Sequence, residues 1–219
     1  MKVIEVEQGS SEWMSFREGK LTGTSIGKIF AKSRKTGEMY DTEKPMLTFY
    51  QKVAERLAEG TGDDDGLESS RERGLTLEAE AVAEAERQLG LKLIRGNVWQ
   101  DDNINHIASP DAYTKDLKQA VEIKCLSSSR HIQAIIEDRP PAEYYAEYLN
   151  YFLVNPKLET LHVFLYDPRF YLPNLCWHDF AINRKDIEYE IERMRDINDI
   201  AEQKISAAVE DLIKKYGAF

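Results

Sequence analysis

The chain has 219 residues, 42% of them hydrophobic and 31% charged, with a formal net charge of −10. That length fits one domain over residues 1–219 with room for a substantial core, and the balance excludes a disordered chain. No apolar run approaches the ~20 residues a membrane span needs, the start shows no signal-peptide core, and Cys125 and Cys176 are too few for a disulfide scaffold, so a cytoplasmic protein is expected.

Ser10 can cap a short helix through Glu18, and Thr22 or Thr24 another over Ser25–Ala31. From Trp13 to Thr36 six basic residues (Arg17, Lys20, Lys28, Lys32, Arg34, Lys35) face one acid, Glu18. An acidic protein with such a basic segment can still bind nucleic acid, provided contact is confined to a groove or channel. Pro45 opens a helical pattern through Leu47, Tyr50, Ala54 and Leu57 that Gly60 closes, and Asp63–Gly66 reads as a polar loop. A helix over Leu75–Leu89 follows, stopped by Gly90.

The middle is rich in β-formers: Leu91–Trp99, Asn105–Ala108 and Ala120–Leu126 read as strands. Ser129–Glu137 is helical, Pro140-Pro141 breaks it, and Ala142–Val154 resumes. Thr160–Tyr166 and Leu175–Ile182 are further strands. A long amphipathic helix carries Ile187, Ile191, Met194, Ile197, Ile205, Val209 and Leu212. This order predicts an α/β fold, a central mixed β-sheet flanked by helices.

Four acid-x-Lys triplets occur, where chance gives roughly three, so the triplet alone carries nothing. Only Glu122-Ile-Lys124 sits in an apolar strand, where period two puts both charges on one face and Val121, Ile123 and Cys125 on the other. Charges there are desolvated and require a partner or a cation. Asp111, in Ser109-Pro110-Asp111, comes beside Glu122 if the polar stretch Tyr113–Gln119 forms a hairpin. Two adjacent carboxylates repel, and a divalent cation resolves the repulsion; all-oxygen ligation suits magnesium or manganese. Such a metal lowers the pKa of its water, which Lys124 can position and help deprotonate. The bland reading of Glu122 and Lys124, a half-exposed ion pair, loses ground once Asp111 is counted.

Pro110-Asp111 followed by Glu122-x-Lys124 resembles the signature of the PD-(D/E)xK nuclease superfamily. Glu7-Gln8-Gly9, Trp13, Arg17, Gly19, Thr22 and Ser25 resemble the opening motif of its phage-type alkaline exonucleases, the YqaJ/RecB-like group. Gly74-Leu-Thr-Leu-Glu78 and Tyr166-Asp167-Pro168-Arg169 resemble two later motifs. The resemblance implies that Asp111 and Glu122 ligate metal with the Ile123 carbonyl, that Glu78 lies near a second metal position, and that Lys124 is catalytic. It places Arg17, Ser25 and Arg34 where the family binds a terminal 5′-phosphate. The group's Tyr-x-x-Gln motif has Glu147 at the best-matching position, with Asn150 as an alternative carrier of the amide role. An apolar residue used for strand separation is replaced by Arg71-Glu72-Arg73, leaving Leu67 as the nearest candidate.

The resemblance further implies a magnesium-dependent 5′-to-3′ exonuclease acting on double-stranded DNA ends. It implies a ring-shaped homotrimer and a single-strand annealing recombination protein as partner. An endonuclease or resolvase of the same superfamily, a non-catalytic DNA-binding module and a helix-mediated interaction protein are the alternatives. The four histidines and Cys125 read as structural. Tyr144, Tyr145, Tyr148 and Tyr151 could stack on bases, although helix packing is expected for at least two of them.

Overall fold

The computed structural model describes residues 1–37, 43–46, 48–49, 52, 68–102, 105–126, 128–170 and 172–217. Most of the helix expected after Pro45 (residues 47, 50–51 and 53–60), the loop Asp63–Gly66, Leu67 and the side chains of Arg71, Glu72 and Arg73 lie outside what it describes.

Two short helices follow strand β1 (Lys2–Glu5). Helix α1 (Ser11–Arg17) starts where the Ser10 hydroxyl accepts from the Trp13 N–H. Helix α2 (Gly23–Ile29) begins with a reciprocal capping box between Thr22 and Ser25, two residues earlier than the sequence predicts. Helix α3 (Glu68–Leu89) ends at Gly90, whose φ of +65° is the left-handed conformation that stops a helix.

The run expected as one strand, Leu91–Trp99, is two: β2 (Leu93–Arg95) and β3 (Asn97–Gln100). Gly96, at φ +74°, breaks the run and sends its halves to different sheets. Strand β3 lies between β1 and β4 (Ile107–Ala108) in a three-stranded sheet.

The main sheet has the order β2, β5 (Ala112–Thr114), β6 (Gln119–Lys124), β7 (Thr160–Tyr166), β8 (Trp177–Asn183). It is mixed: β6 and β7 run parallel and the other pairs antiparallel. The parallel pair is joined by α4 (Ser128–Glu137), a 3₁₀ turn at Ala142–Tyr144 and α5 (Tyr145–Val154).

The sheet's two faces are covered differently. On one, Ala81, Val82 and Ala85 of α3 bury against Ala112, Val121, Ile123, Phe164 and Tyr166. On the other, α2, α5 and α6 (Glu188–Tyr216) pack over Ala120, Leu161, Val163 and Leu165. Helix α6 buries Ile191, Met194, Asn198, Ala201 and Ile205, spaced three and four apart along one stripe. Each such Ile or Met contributes about 1.5–3 kcal/mol by leaving water. The predicted stripe runs further than the packing does: its last member, Leu212, is exposed. Among the described residues no helix is long and apolar enough to cross a membrane.

Candidate active site

The β5–β6 hairpin builds the site. Its turn closes on Leu117, at φ +65°, whose N–H donates 2.8 Å to the Thr114 carbonyl, while Asp116 accepts from the Lys118 N–H at 3.1 Å. Ala112 pairs with Val121, so Asp111, just ahead of β5, meets the middle of β6. The Ile123 N–H donates 2.7 Å to Asp111 Oδ2, and Gln8 Nε2 donates 3.2 Å to Oδ1. The sequence expectation of a polar hairpin over Tyr113–Gln119 is therefore refined: Tyr113 is a buried strand residue, and the turn is shorter.

Glu122 and Lys124 share the α5 face of β6, and Lys124 Nζ donates to Glu122 Oε1 at 2.5 Å and to Glu147 Oε2 at 3.1 Å. The Tyr144 ring lies 4.2 Å from Nζ. Tyr151 donates its hydroxyl to Glu122 Oε2 and, at 3.3 Å, to the Ser109 carbonyl. Cys125 packs with the cluster under α3, on the opposite face, as the period-two pattern requires.

These charges sit in a dry setting. Burial first, then the Glu78 charge, pushes the Asp111 carboxyl up to about 6, against the pull of Lys124, the Ile123 N–H and Gln8. Burial and then Asp111 raise Glu122 well above the ordinary carboxylate range. Burial alone would lower the Lys124 ammonium, but Glu122 and Glu147 outweigh it and hold it well above its usual value.

Two buried carboxylates, with Asp111 raising the pKa of Glu122, are the donor set a hard cation relieves. Asp111 and Glu122 therefore fit magnesium or manganese by charge, oxygen chemistry and proximity. Among the described residues no group of three or more His, Cys, Asp or Glu side chains converges into a complete cage. A pair that leaves positions for water and phosphate oxygens is the usual magnesium arrangement.

Other residues singled out by sequence fall at varying distances from this centre. Glu78 is near enough for its charge to act on Asp111, and Arg95 holds it at 3.3 Å. Arg17 donates 3.1 Å to Ser109 Oγ, next to Pro110-Asp111, and stacks on Trp13 at 4.2 Å. Ser25 is buried in the capping box, with its hydroxyl turned to the Thr22 carbonyl at 3.1 Å. It is Thr24 that lines a cleft with Arg17, Ser109, Glu147 and Tyr151. Arg34 stands exposed in the turn at residues 34–36.

Glu147 and Asn150, undecided in sequence, have separate places: Glu147 binds Lys124, while buried Asn150 donates 2.9 Å to the Ile107 carbonyl. Tyr148 and Tyr151 are buried, and Tyr144 and Tyr145 pack partly buried against the same core. The sequence offers Tyr151 only as a base-stacking candidate and Gln8 only as part of the opening motif, not as partners of Glu122 and Asp111. The signal for Tyr151 was its spacing, since a residue four beyond Glu147 shares its helix face. The described histidine contacts are structural in form: His106 to Asp101, His131 to the Leu175 carbonyl, and His162 between Asp179 and Gln119.

Residues 12–155, which include the whole cluster from Arg17 to Tyr151, match the YqaJ-like viral recombinase domain. The chain belongs to this family. The resemblance carried by Pro110-Asp111 and Glu122-x-Lys124 thus stands, and solved structures extend the likeness beyond the YqaJ-like region. The alkaline exonuclease LHK-Exo from Laribacter hongkongensis is similar with a TM-score of 0.72 at 22% identity, covering 94% of this chain and 99% of that one. Its complex with dAMP gives 0.74 at 22%, over 95% and 98%. A phage-related exonuclease from Haemophilus somnus 129PT gives 0.54 at 15%, over 86% and 96%. At such identities the likeness is one of fold, and the mixed sheet flanked by helices is a nuclease fold. A search of curated proteins found no match.

Proposed function

We propose that this YqaJ-like protein is a magnesium-dependent exonuclease that degrades one strand of duplex DNA from its 5′ end, leaving a 3′ single strand for recombination. The observation that carries this reading is the buried cluster in which Asp111 meets Glu122 while Lys124 lies 2.5 Å from Glu122. The alkaline exonuclease LHK-Exo, of the same fold, supports it.

Asp111 and Glu122 would hold the cation with the Ile123 carbonyl, and Glu78 would lie near a second metal position; manganese suits the same oxygen donors. The bound ion supplies Lewis-acid chemistry, activating water and offsetting phosphate charge. Lys124, kept as an ammonium by its two carboxylates, donates hydrogen bonds to the attacking water and the scissile phosphate. Glu147 and Tyr144 fix where that ammonium stands, and Tyr151 fixes Glu122. Tyr151 can do so as a neutral donor, because burial and then Glu122 hold its phenol well above its ordinary pKa.

End recognition falls to the cleft between Arg17 and Thr24, where a guanidinium and a hydroxyl offer donors to a terminal phosphate; Arg34 belongs to the proposed set, while Ser25, whose hydroxyl the capping box holds, leaves its place to Thr24. A homotrimeric ring, a single-strand annealing partner and a cytoplasmic location belong to the same reading.

Digestion of end-labelled linear duplex against closed circular DNA tests it. Linear DNA should be shortened from its 5′ ends only when magnesium is present, with circles left intact. Nicked or linearised circles would instead make the enzyme an endonuclease, and binding without cleavage a non-catalytic module.

A further inference from the structure

The cleft beside the catalytic cluster is small, about 20 Å³, and has two charged walls among the described residues, Arg17 and Glu147. A space of that size admits roughly one or two water-sized groups. An anionic oxygen entering beside Arg17 therefore shares the cleft with Glu147. Two contacts position Glu147. A Cβ built on Gly23 would stand 2.9 Å from the Glu147 Cα, so α5 already rests on the backbone of α2. Its Oε2 is held by Lys124 at 3.1 Å, and Lys124 is shared with Glu122 at 2.5 Å. One ammonium between two carboxylates leaves part of the Glu147 charge uncompensated.

We infer that Glu147 is a specificity-determining residue whose carboxylate opposes Arg17 and sets how weakly the enzyme prefers a phosphorylated DNA end over a hydroxyl end. This rests on the exonuclease reading and concerns the same cleft. A terminal phosphate is a dianion and a terminal hydroxyl is neutral, so the opposing charges act on one end and not the other. Arg17 raises the ratio of the two affinities and Glu147 lowers it.

The test is fluorescence-anisotropy titration of duplexes ending in a 5′-phosphate or a 5′-hydroxyl, in chelator at fixed ionic strength so that nothing is cleaved. Glu147→Gln, of equal size, should raise the phosphate-to-hydroxyl affinity ratio by about five- to tenfold, as expected for removing one charge at close range. Arg17→Ala should bring the ratio close to one. Thr24→Asp, which adds a carboxylate on the same cleft, should lower it and decides the matter independently if Glu147→Gln does not fold. A ratio that is unchanged or lower in folded Glu147→Gln overturns the inference, as does an unchanged ratio in Thr24→Asp. Wild-type protein that fails to shorten linear duplex in magnesium brings down the exonuclease reading itself. Shortening with an unmoved ratio brings down only the role of Glu147.

Discussion

Asp111 shows what one residue costs the fold. Its carboxyl is held near pH 6 by burial and by Glu78, against about 3.9 in an unfolded chain. The folded protein therefore binds the Asp111 proton more tightly than the unfolded chain does, and stability from this group is lost as pH rises from about 4 through 6. The loss is about 3 kcal/mol for a shift of roughly two units. Thermal unfolding in chelator should show wild type losing stability relative to Asp111→Asn across that window. Magnesium should restore it, raising the melting temperature more at pH 8 than at pH 5, because a cation competes with the proton for the same oxygens. Parallel pH profiles for the two proteins would remove Asp111 from the strained pair.

Among elements, α5 does most to join fold and site. Its Glu147 and Tyr151 reach Lys124 and Glu122, while Asn150 on the same helix donates to the Ile107 carbonyl of β4. Asn150→Ala would leave that buried carbonyl without its partner and should lower unfolding free energy by about 1–3 kcal/mol, measured by urea denaturation. A change within a few tenths would mean that the bond is dispensable.

Much of this was legible in sequence because it is local. The Ser10 and Thr22 caps, the strand holding Glu122 and Lys124, and the stripe of α6 all follow from periodicity and capping chemistry. What was not legible depends on long-range partners. Leu91–Trp99 is one apolar run, and only the two sheets that claim its halves show Gly96 to be a break. Ser25 and Thr24 are equal as hydroxyls in sequence; the capping box takes one and leaves the other on the cleft. Glu147 and Asn150 were separable only once α5 had been set against both β4 and β6.

For the whole molecule, a net charge of −10 sits beside a basic N-terminal segment that supplies Arg17 to the cleft. An acidic body with one basic segment should hold DNA along that segment rather than across its whole outer face. A head-to-tail ring keeps such an enzyme on DNA without tight binding at any one site. Light scattering should give about three times the 25.2 kDa chain mass at micromolar concentration. A monomer would contradict the ring and the processive digestion that goes with it.

The central claim is that Asp111, Glu122 and Lys124 form a cation-dependent hydrolytic centre. Its most direct test is the rate of nucleotide release from linear duplex by Lys124→Ala at saturating magnesium, on protein shown to be folded. The account predicts a fall of about 10²–10³, the usual loss when a preorganised hydrogen-bond donor to the transition state is removed. Release within about tenfold of wild type would contradict it.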